Sequence, residues 1–184
     1  MKYLISCVLL SLLFLNPVIA DDYTGSRFGG GYSQSNIYID ALNMSSDDGV
    51  GFKLEYGYDL NLLVSFNFSY EANDEKFNSI DGEGQTLKLG GDLGYAISMQ
   101  KAYLKPYVTL GYLLYTEERV DNNPSDPTKD PHSIFNDNTF YYGVGLRFQY
   151  IDFYTDLSFD MFNINDSNYD YSFKQTAVTI GIKF

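Results

Sequence analysis

The sequence predicts an all-β fold, an eight-stranded antiparallel up-and-down β-barrel that spans a membrane. Three observations predict it. Apolar and polar residues alternate in segments of about 10 residues, which is the length of a tilted strand that crosses a bilayer core. The connections between these segments are alternately short and long, as in membrane barrels. The chain also holds 18 tyrosines and 14 phenylalanines, and aromatic residues favour strands.

The first 20 residues are typical of a cleaved signal peptide. Lys2 gives a basic start, residues 3–15 are mostly apolar, and Ala20 precedes the expected cut. The apolar run is shorter than the roughly 20 residues that a spanning helix needs. We therefore expect residues 1–20 to be removed and residues 21–184 to form one barrel domain.

Composition excludes several classes of site. Cys7 is the single cysteine and lies in the expected leader, so the mature chain has no thiol for a disulfide, for catalysis or for a metal. The formal net charge is −12, which makes the chain a poor candidate for binding nucleic acid. We expect no catalytic residue, no cofactor and no metal site.

Seven of the predicted strands have a clear apolar face made of every second residue. They are residues 50–58, 62–70, 87–97, 104–114, 140–150, 153–161 and 178–184. A first strand at residues 27–39 has a weaker pattern, because Phe28 and Tyr32 lie on one face of the strand and Ile37 and Ile39 lie on the other. The three glycines at 29–31 predict a bulge or bend there.

The faces opposite the apolar ones carry five charges of each sign. They are Lys53, Glu55, Glu71, Lys88, Asp92, Lys105, Arg147, Asp156, Asp160 and Lys183. The interior of an eight-stranded barrel is only wide enough for side chains to fill it. Because an unpaired buried charge costs several kcal/mol, we expect these charges to pair and to plug the barrel. A narrow channel is the alternative, since a few waters between such pairs could connect.

The last strand carries the most specific signal. Val178, Ile180, Ile182 and Phe184 share one face, and the chain stops on the phenylalanine. This pattern resembles the C-terminal strand of bacterial outer-membrane barrels, in which the terminal aromatic residue serves as the assembly signal. A soluble ligand-binding barrel with its apolar faces turned inward is the structural alternative. The terminal phenylalanine, the leader and the unequal connections favour the membrane.

The whole mature chain is similar to the small OmpX/Ail, opacity and OmpA-transmembrane-domain families. The resemblance implies a monomer in the outer membrane that contacts lipid, lipopolysaccharide and the barrel assembly machinery. This chain has no tryptophan, so other aromatic residues near strand ends are expected to form the interfacial girdle. They are Tyr56, Tyr58, Tyr70, Tyr95, Tyr103, Tyr112, Tyr150 and Phe153.

The long connections are strongly acidic, whereas the short ones, at residues 59–61, 98–102 and 151–152, are tight. The long connections carry Asp47, Asp48, Asp74, Glu75, Asp81, Glu83, Glu117, Glu118, Asp121, Asp126, Asp130, Asp137, Asp166 and Asp170 against Lys76, Arg119 and Lys129, a net charge of −11. The third of them, residues 117–137, contains three prolines, which argue against an extension of the strands there.

Three functions follow as hypotheses. The leading one is a non-enzymatic surface protein whose acidic loops contribute to adhesion, colonisation or envelope integrity through a host or matrix ligand. The second is lipid A modification, because some small outer-membrane barrels are lipid A hydrolases that use a histidine and a serine, and His132 lies beside Ser133. The spacing departs from that family, which places the serine two positions after the histidine. The third is a narrow channel.

Overall fold

The structure is a computed structural model, and it describes residues 23–39, 44–45, 47–77, 80–121, 132–165 and 170–184. It confirms the predicted fold class, a closed eight-stranded antiparallel barrel. The strands are β1 (Gly25–Ile39), β2 (Asp47–Asp59), β3 (Val64–Phe77), β4 (Ile80–Gly94), β5 (Ala102–Asp121), β6 (His132–Tyr150), β7 (Phe153–Asn165) and β8 (Asp170–Lys183). Each pairs with its neighbour in the chain, and β8 pairs with β1 to close the barrel. Two short segments, Met44–Ser45 and Ile97–Met99, add to β1 and β5.

The two ends of the barrel differ. At one end, which we call the short-turn end, residues 60–63, 100–101 and 151–152 connect the strands, and β1 starts beside the end of β8. The opposite end, the long-loop end, holds the connections at 40–46, 78–79, 122–131 and 166–169. No helix among the described residues is long and apolar enough to cross a membrane.

An apolar belt surrounds the part of the barrel next to the short-turn end. On β5 its outward residues run from Leu104 to Leu114, with Val108 and Leu110 between them more than half exposed. Ten residue steps of about 3.3 Å, tilted by about 40°, rise about 25 Å, the height of the apolar band of membrane barrels. We call this region the lipid belt.

The strands continue beyond the lipid belt toward the long-loop end, and on β1, β5, β7 and β8 apolar residues turn inward there. On β5 the outward residues become Thr116 and Glu118, while Leu113 and Tyr115 point inward and are buried. We call this region the outer extension. Apolar residues inside and polar residues outside are the arrangement of a water-soluble barrel.

This reversal explains the weak pattern of β1. Its register with β8 and with β2 is unbroken through the three glycines, so the expected bulge or bend was wrong. Phe28 and Tyr32 face outward in the lipid belt, and Ile37 faces inward in the outer extension. The apolar residues therefore move from the outward face of β1 to its inward face, because the strand passes from the lipid belt into the outer extension. Gly31 permits close pairing, since a Cβ there would clash with the carbonyl oxygen of Val178.

The outer extension also corrects the expected long connections. Strand β5 extends to Asp121 and β6 begins at His132, so the expectation of no strand extension at residues 117–137 was wrong for 117–121 and 132–137. The three prolines of this stretch lie outside the described residues. At the other end, Asp59 belongs to β2 rather than to the turn after it.

Candidate functional site

The barrel interior brings together all ten charged residues predicted to lie there. Each of them faces inward from its strand and is at most 7% exposed. The same part of the interior holds Arg27 and Asp59, which were missed, and both are fully buried. The alternation of faces along each strand could have found them. Arg27 lies on the same face of β1 as Ser33, and Asp59 lies on the same face of β2 as Lys53 and Glu55. Six cations and six carboxylates thus form what we call the charged core of the described interior.

Two arginines organise the middle of the charged core. Arg147 donates from Nε to Asp156 at 2.7 Å and from Nη2 to Asp92 at 2.9 Å. Arg27 donates from Nη1 to Asp59 at 2.8 Å and from Nε to Glu55 at 3.3 Å. These residues come from β1, β2, β4, β6 and β7. Arg147 Nη1 also lies 3.5 Å from Asp59, so β6 is tied to β2 on the opposite wall of the barrel. Fork-shaped guanidinium groups suit such multiple pairing.

A second layer of charges lies above the arginines, toward the long-loop end. The Lys88 ammonium lies 2.8 Å from Glu71 and 2.6 Å from Asp160. Ser33 donates its hydroxyl to the other oxygen of Glu71 at 2.8 Å. Lys53 pairs with Glu55 at 3.1 Å and thereby joins this layer to the arginine layer.

Little space remains between these two layers. The cavity among Lys53, Asp92, Tyr107, Arg147 and Asp160 has a volume of about 10 Å³. About 10–15 Å³ is the minimum for a single water. A cavity of this size between paired charges has room for about one water molecule.

An apolar cluster closes the interior above the charged core. It consists of Ile37, Leu113, Tyr115, Tyr141, Phe162, Ile164 and Phe173, with Phe135 and Tyr171 packed against it. We call it the aromatic cap. The Phe162 and Phe173 rings stack with centroids 4.7 Å apart, and Tyr115 meets Phe173 edge-on at 4.9 Å. The Tyr141 hydroxyl reaches down to Asn67 at 3.1 Å, which joins the cap to the polar residues below it.

Comparison with known proteins identifies the family. A family model described as the outer membrane protein beta-barrel domain matches residues 5–184. The chain belongs to this family. Membrane barrels of this type have short periplasmic turns and longer extracellular loops, so the short-turn end of this outer-membrane barrel faces the periplasm and the long-loop end faces the outside.

Several solved outer-membrane barrels share the fold. Ail of Yersinia pestis is 20% identical with a TM-score of 0.64, and the match covers 88% of this chain and 99% of Ail. Neisserial surface protein A is 17% identical with a TM-score of 0.63, over 87% of this chain and 97% of that one. OprG of Pseudomonas aeruginosa is 13% identical with a TM-score of 0.59, over 90% and 98%. At these identities the likeness concerns the fold. No curated protein sequence matches this barrel.

The outer extension of this barrel carries three carboxylates side by side on its outward face. Asp74 on β3 pairs in register with Glu83 on β4, and Glu83 pairs with Glu118 on β5. All three side chains are exposed. Like charges directly opposite one another on a sheet are destabilising, so folding does not account for this arrangement. We call these residues the acidic rung. Glu117, which was counted among the acidic loop residues, is instead buried, and the Tyr115 hydroxyl donates to it at 3.2 Å.

The other residues named from the sequence lie as follows. Of the expected girdle, Tyr56, Tyr58, Tyr95, Tyr112, Tyr150 and Phe153 are exposed on the outside of the barrel and Tyr70 is partly exposed. Tyr103 departs from this set, because its ring contacts Tyr23 at the mouth of the interior, 5.0 Å between centroids.

The predicted assembly signal, Val178, Ile180, Ile182 and Phe184, is exposed on the lipid-facing side of the last strand and its end; its role in assembly stays a prediction. His132 and Ser133 belong to β6, and their side chains lie outside the described residues.

Proposed function

We propose that this barrel is a non-enzymatic surface protein that meets cationic groups of a partner through its acidic long-loop end. One observation carries the proposal. The interior is filled by the charged core and covered by the aromatic cap, so the charges that an outside partner can meet lie at the long-loop end. There the acidic rung places three like charges together at a cost to folding.

Charge defines the partner. The residues predicted as long connections hold a net charge of −11 by sequence. The three carboxylates of the acidic rung are part of that charge and lie on the outer wall of the barrel, whereas Glu117 is buried. A surface of one sign attracts partners of the opposite sign and raises their rate of encounter. Basic protein segments on a host cell or matrix fit this surface, and contact with them would serve adhesion or colonisation.

The comparison with Ail sharpens the choice of ligand. Ail has been crystallised in complex with the heparin analogue sucrose octasulfate, which is a polyanion. Like charges repel, so the acidic rung disfavours a ligand of that kind. We propose the opposite preference for this barrel, a polycation over a polyanion.

Binding to two probes of opposite charge tests the proposal. The barrel in lipid nanodiscs would be passed over immobilised polylysine and immobilised heparin at low and high salt. We expect binding to polylysine alone, weakened by salt because exposed charges are screened within about 10 Å at 0.1 M. Binding to heparin in preference to polylysine would contradict the proposal.

A neutralised variant assigns the binding to the acidic rung. Each exposed charge pair contributes about 0.2–1 kcal/mol, so replacing Asp74, Glu83 and Glu118 by their amides should weaken polylysine binding between about 3-fold and 100-fold. Asp152→Asn is the matched control, because Asp152 is an exposed carboxylate at the opposite end of the barrel. An equal loss in the control would point to general charge rather than to this surface.

Two outcomes would replace the proposal with another function. In the first, deletion of the gene changes the lipid A mass spectrum, and returning the gene with His132→Ala does not restore the original spectrum. This outcome indicates a modifying enzyme. The other is discrete conductance in planar bilayers that shifts with Arg147 substitution, which indicates a channel. We further propose that residues 1–20 are removed and that the barrel is a monomer. Phe184 and its strand face would engage the assembly machinery, and membrane lipid and lipopolysaccharide would contact the lipid belt.

A further inference from the structure

Tyr23 fills the mouth of the barrel at the short-turn end. It belongs to no strand and precedes β1 by two residues, yet it is only 1% exposed. Its ring lies edge-on against Tyr103 at 5.0 Å. A side chain that enters the barrel from outside the sheet needs an interaction that holds it there, because ordering it costs conformational entropy.

Two buried ammonium groups hold the ring. The Lys183 Nζ lies 3.9 Å from the ring centroid and also donates to the Tyr23 carbonyl oxygen. The Lys105 Nζ lies 5.5 Å from the same centroid. A cation over an aromatic face is attracted by the ring quadrupole, and more strongly so away from water.

Lys105 depends on this contact more than Lys183 does. Lys183 also pairs with Asp59 at 2.8 Å. Lys105 is fully buried, and among the described residues it donates to the hydroxyl of Ser65 at 2.6 Å rather than to a carboxylate. Burying a charge without a counter-charge is costly, so the ring of Tyr23 compensates Lys105 as well as covering it.

The same contacts cross the seam where the barrel closes. Tyr23 leads into β1, whereas Lys183 is the last residue of β8. Next to them, Ser26 and Phe184 exchange two backbone hydrogen bonds of 2.8 Å. Gly25 lies between, with a φ of +153°, and a Cβ there would lie 2.8 Å from the Phe184 carbonyl oxygen. Glycine at this position lets the chain turn from β1 into the mouth.

We propose that Tyr23 is a latch that enters the short-turn mouth when the barrel closes, covers Lys105 and Lys183, and locks the first strand to the last. A vestibule of about 450 Å³ opens beside it, lined by Lys101, Tyr103, Gln149 and Asp152 among others. Tyr103 and Gln149 contact the latch residues, so the vestibule gives the ring a path out of the mouth. Withdrawal of the ring would expose both ammonium groups to the periplasm.

Amine labelling tests the latch in the folded barrel. A water-soluble N-hydroxysuccinimide ester would be reacted with the protein in micelles, the folded band isolated from a cold SDS gel, and each lysine quantified by mass spectrometry. Lys101 is exposed at the same end and serves as the internal reference. We expect Lys101 to react and Lys105 and Lys183 to stay protected until the barrel is boiled. Reaction of the latter two at the rate of Lys101 in the unaltered protein would overturn the latch.

A pair of variants separates the ring from the hydroxyl. In Tyr23→Ala the labelling of Lys105 and Lys183 should rise to the level of Lys101, and the folded band should be lost at a lower temperature. Tyr23→Phe should match the unaltered protein, because the Tyr23 hydroxyl makes no hydrogen bond with the described residues. Loss of all folded protein in Tyr23→Ala alone would also support the latch. Full protection in folded Tyr23→Ala would refute it.

Discussion

The lipid belt and the outer extension are built by the same strands, and along β5 the two regions have opposite polarity. In the lipid belt, β5 turns Leu110 outward and Lys105 inward, whereas in the outer extension it turns Thr116 outward and Leu113 inward. The hydrogen-bond ladder of β5 with β6 runs through both regions without a break. The surroundings of the barrel, rather than the strand geometry, therefore decide which side chains hold each region together.

The physical reason lies in what surrounds each region. Lipid tails are as apolar as leucine, so no hydrophobic gain draws apolar residues into the barrel at the height of the lipid belt. Polar groups placed inside must then satisfy one another, which the charged core does. The outer extension is surrounded by water, where burial of apolar surface is favourable, and the aromatic cap uses that gain.

The largest effect should come from breaking the charged core. Arg147→Met would leave Asp92 and Asp156 without their closest cation, and removing one partner of a buried ion pair costs about 3–5 kcal/mol. We expect the free energy of unfolding to fall by that amount. Urea titration followed by the shift of the folded band on cold SDS gels measures it, and is suited to a chain without tryptophan.

A surface charge provides the control for this measurement. Lys174 lies on the outward face of β8 in the outer extension and is exposed. Lys174→Met should change the free energy of unfolding by less than about 0.5 kcal/mol. Equal stability of Arg147→Met and Lys174→Met would mean that the charged core is not what holds the lipid belt together.

The second effect concerns the aromatic cap. Leu113 is fully buried in it, and truncation of a packed leucine to alanine costs about 2–5 kcal/mol. Leu114→Ala is the matched control on the next residue, which faces outward at the rim of the lipid belt. It should cost less than about 1 kcal/mol, because lipid replaces the lost contacts. Equal costs in the same urea titration would show that the cap is not a packed core.

The sequence predicted the lipid belt well and the outer extension poorly. Period-two alternation predicted the eight strands, because every outward residue from 104 to 114 is apolar, as are its counterparts on other strands. The same rule applied to residues 33–39 and 113–121 finds a mixed pattern, since apolar residues there belong inside. The polar outward residues of that region were consequently interpreted as loop, and Glu117 as an exposed loop charge.

The partners within the charged core could not be predicted from sequence. Alternation placed ten of its twelve charges on inward faces, but pairing depends on which walls face each other across the barrel. Arg27 was missed because the strand around it had no clear phase, and Asp59 because it stands beside a turn. Tyr23 carried no signal, since its position in the mouth depends on Lys105 and Lys183, which are more than 80 residues away in the chain.

The third effect locates the boundary between the two regions. Leu110 and Thr116 both face outward on β5 and are six residues apart. Leu110 lies inside the proposed lipid belt and Thr116 lies outside it. An arginine at the midplane of a membrane barrel costs about 2–4 kcal/mol, whereas near the interface it costs about 0–1 kcal/mol. We therefore expect Leu110→Arg to lower the free energy of unfolding in lipid vesicles by the larger amount and Thr116→Arg by the smaller one. Leu114→Arg should fall between them, because residue 114 is the last apolar outward residue of the strand. If Thr116→Arg cost as much as Leu110→Arg, hydrocarbon would surround both positions, and the inward turn of Leu113 and Tyr115 would need a cause other than water outside the barrel.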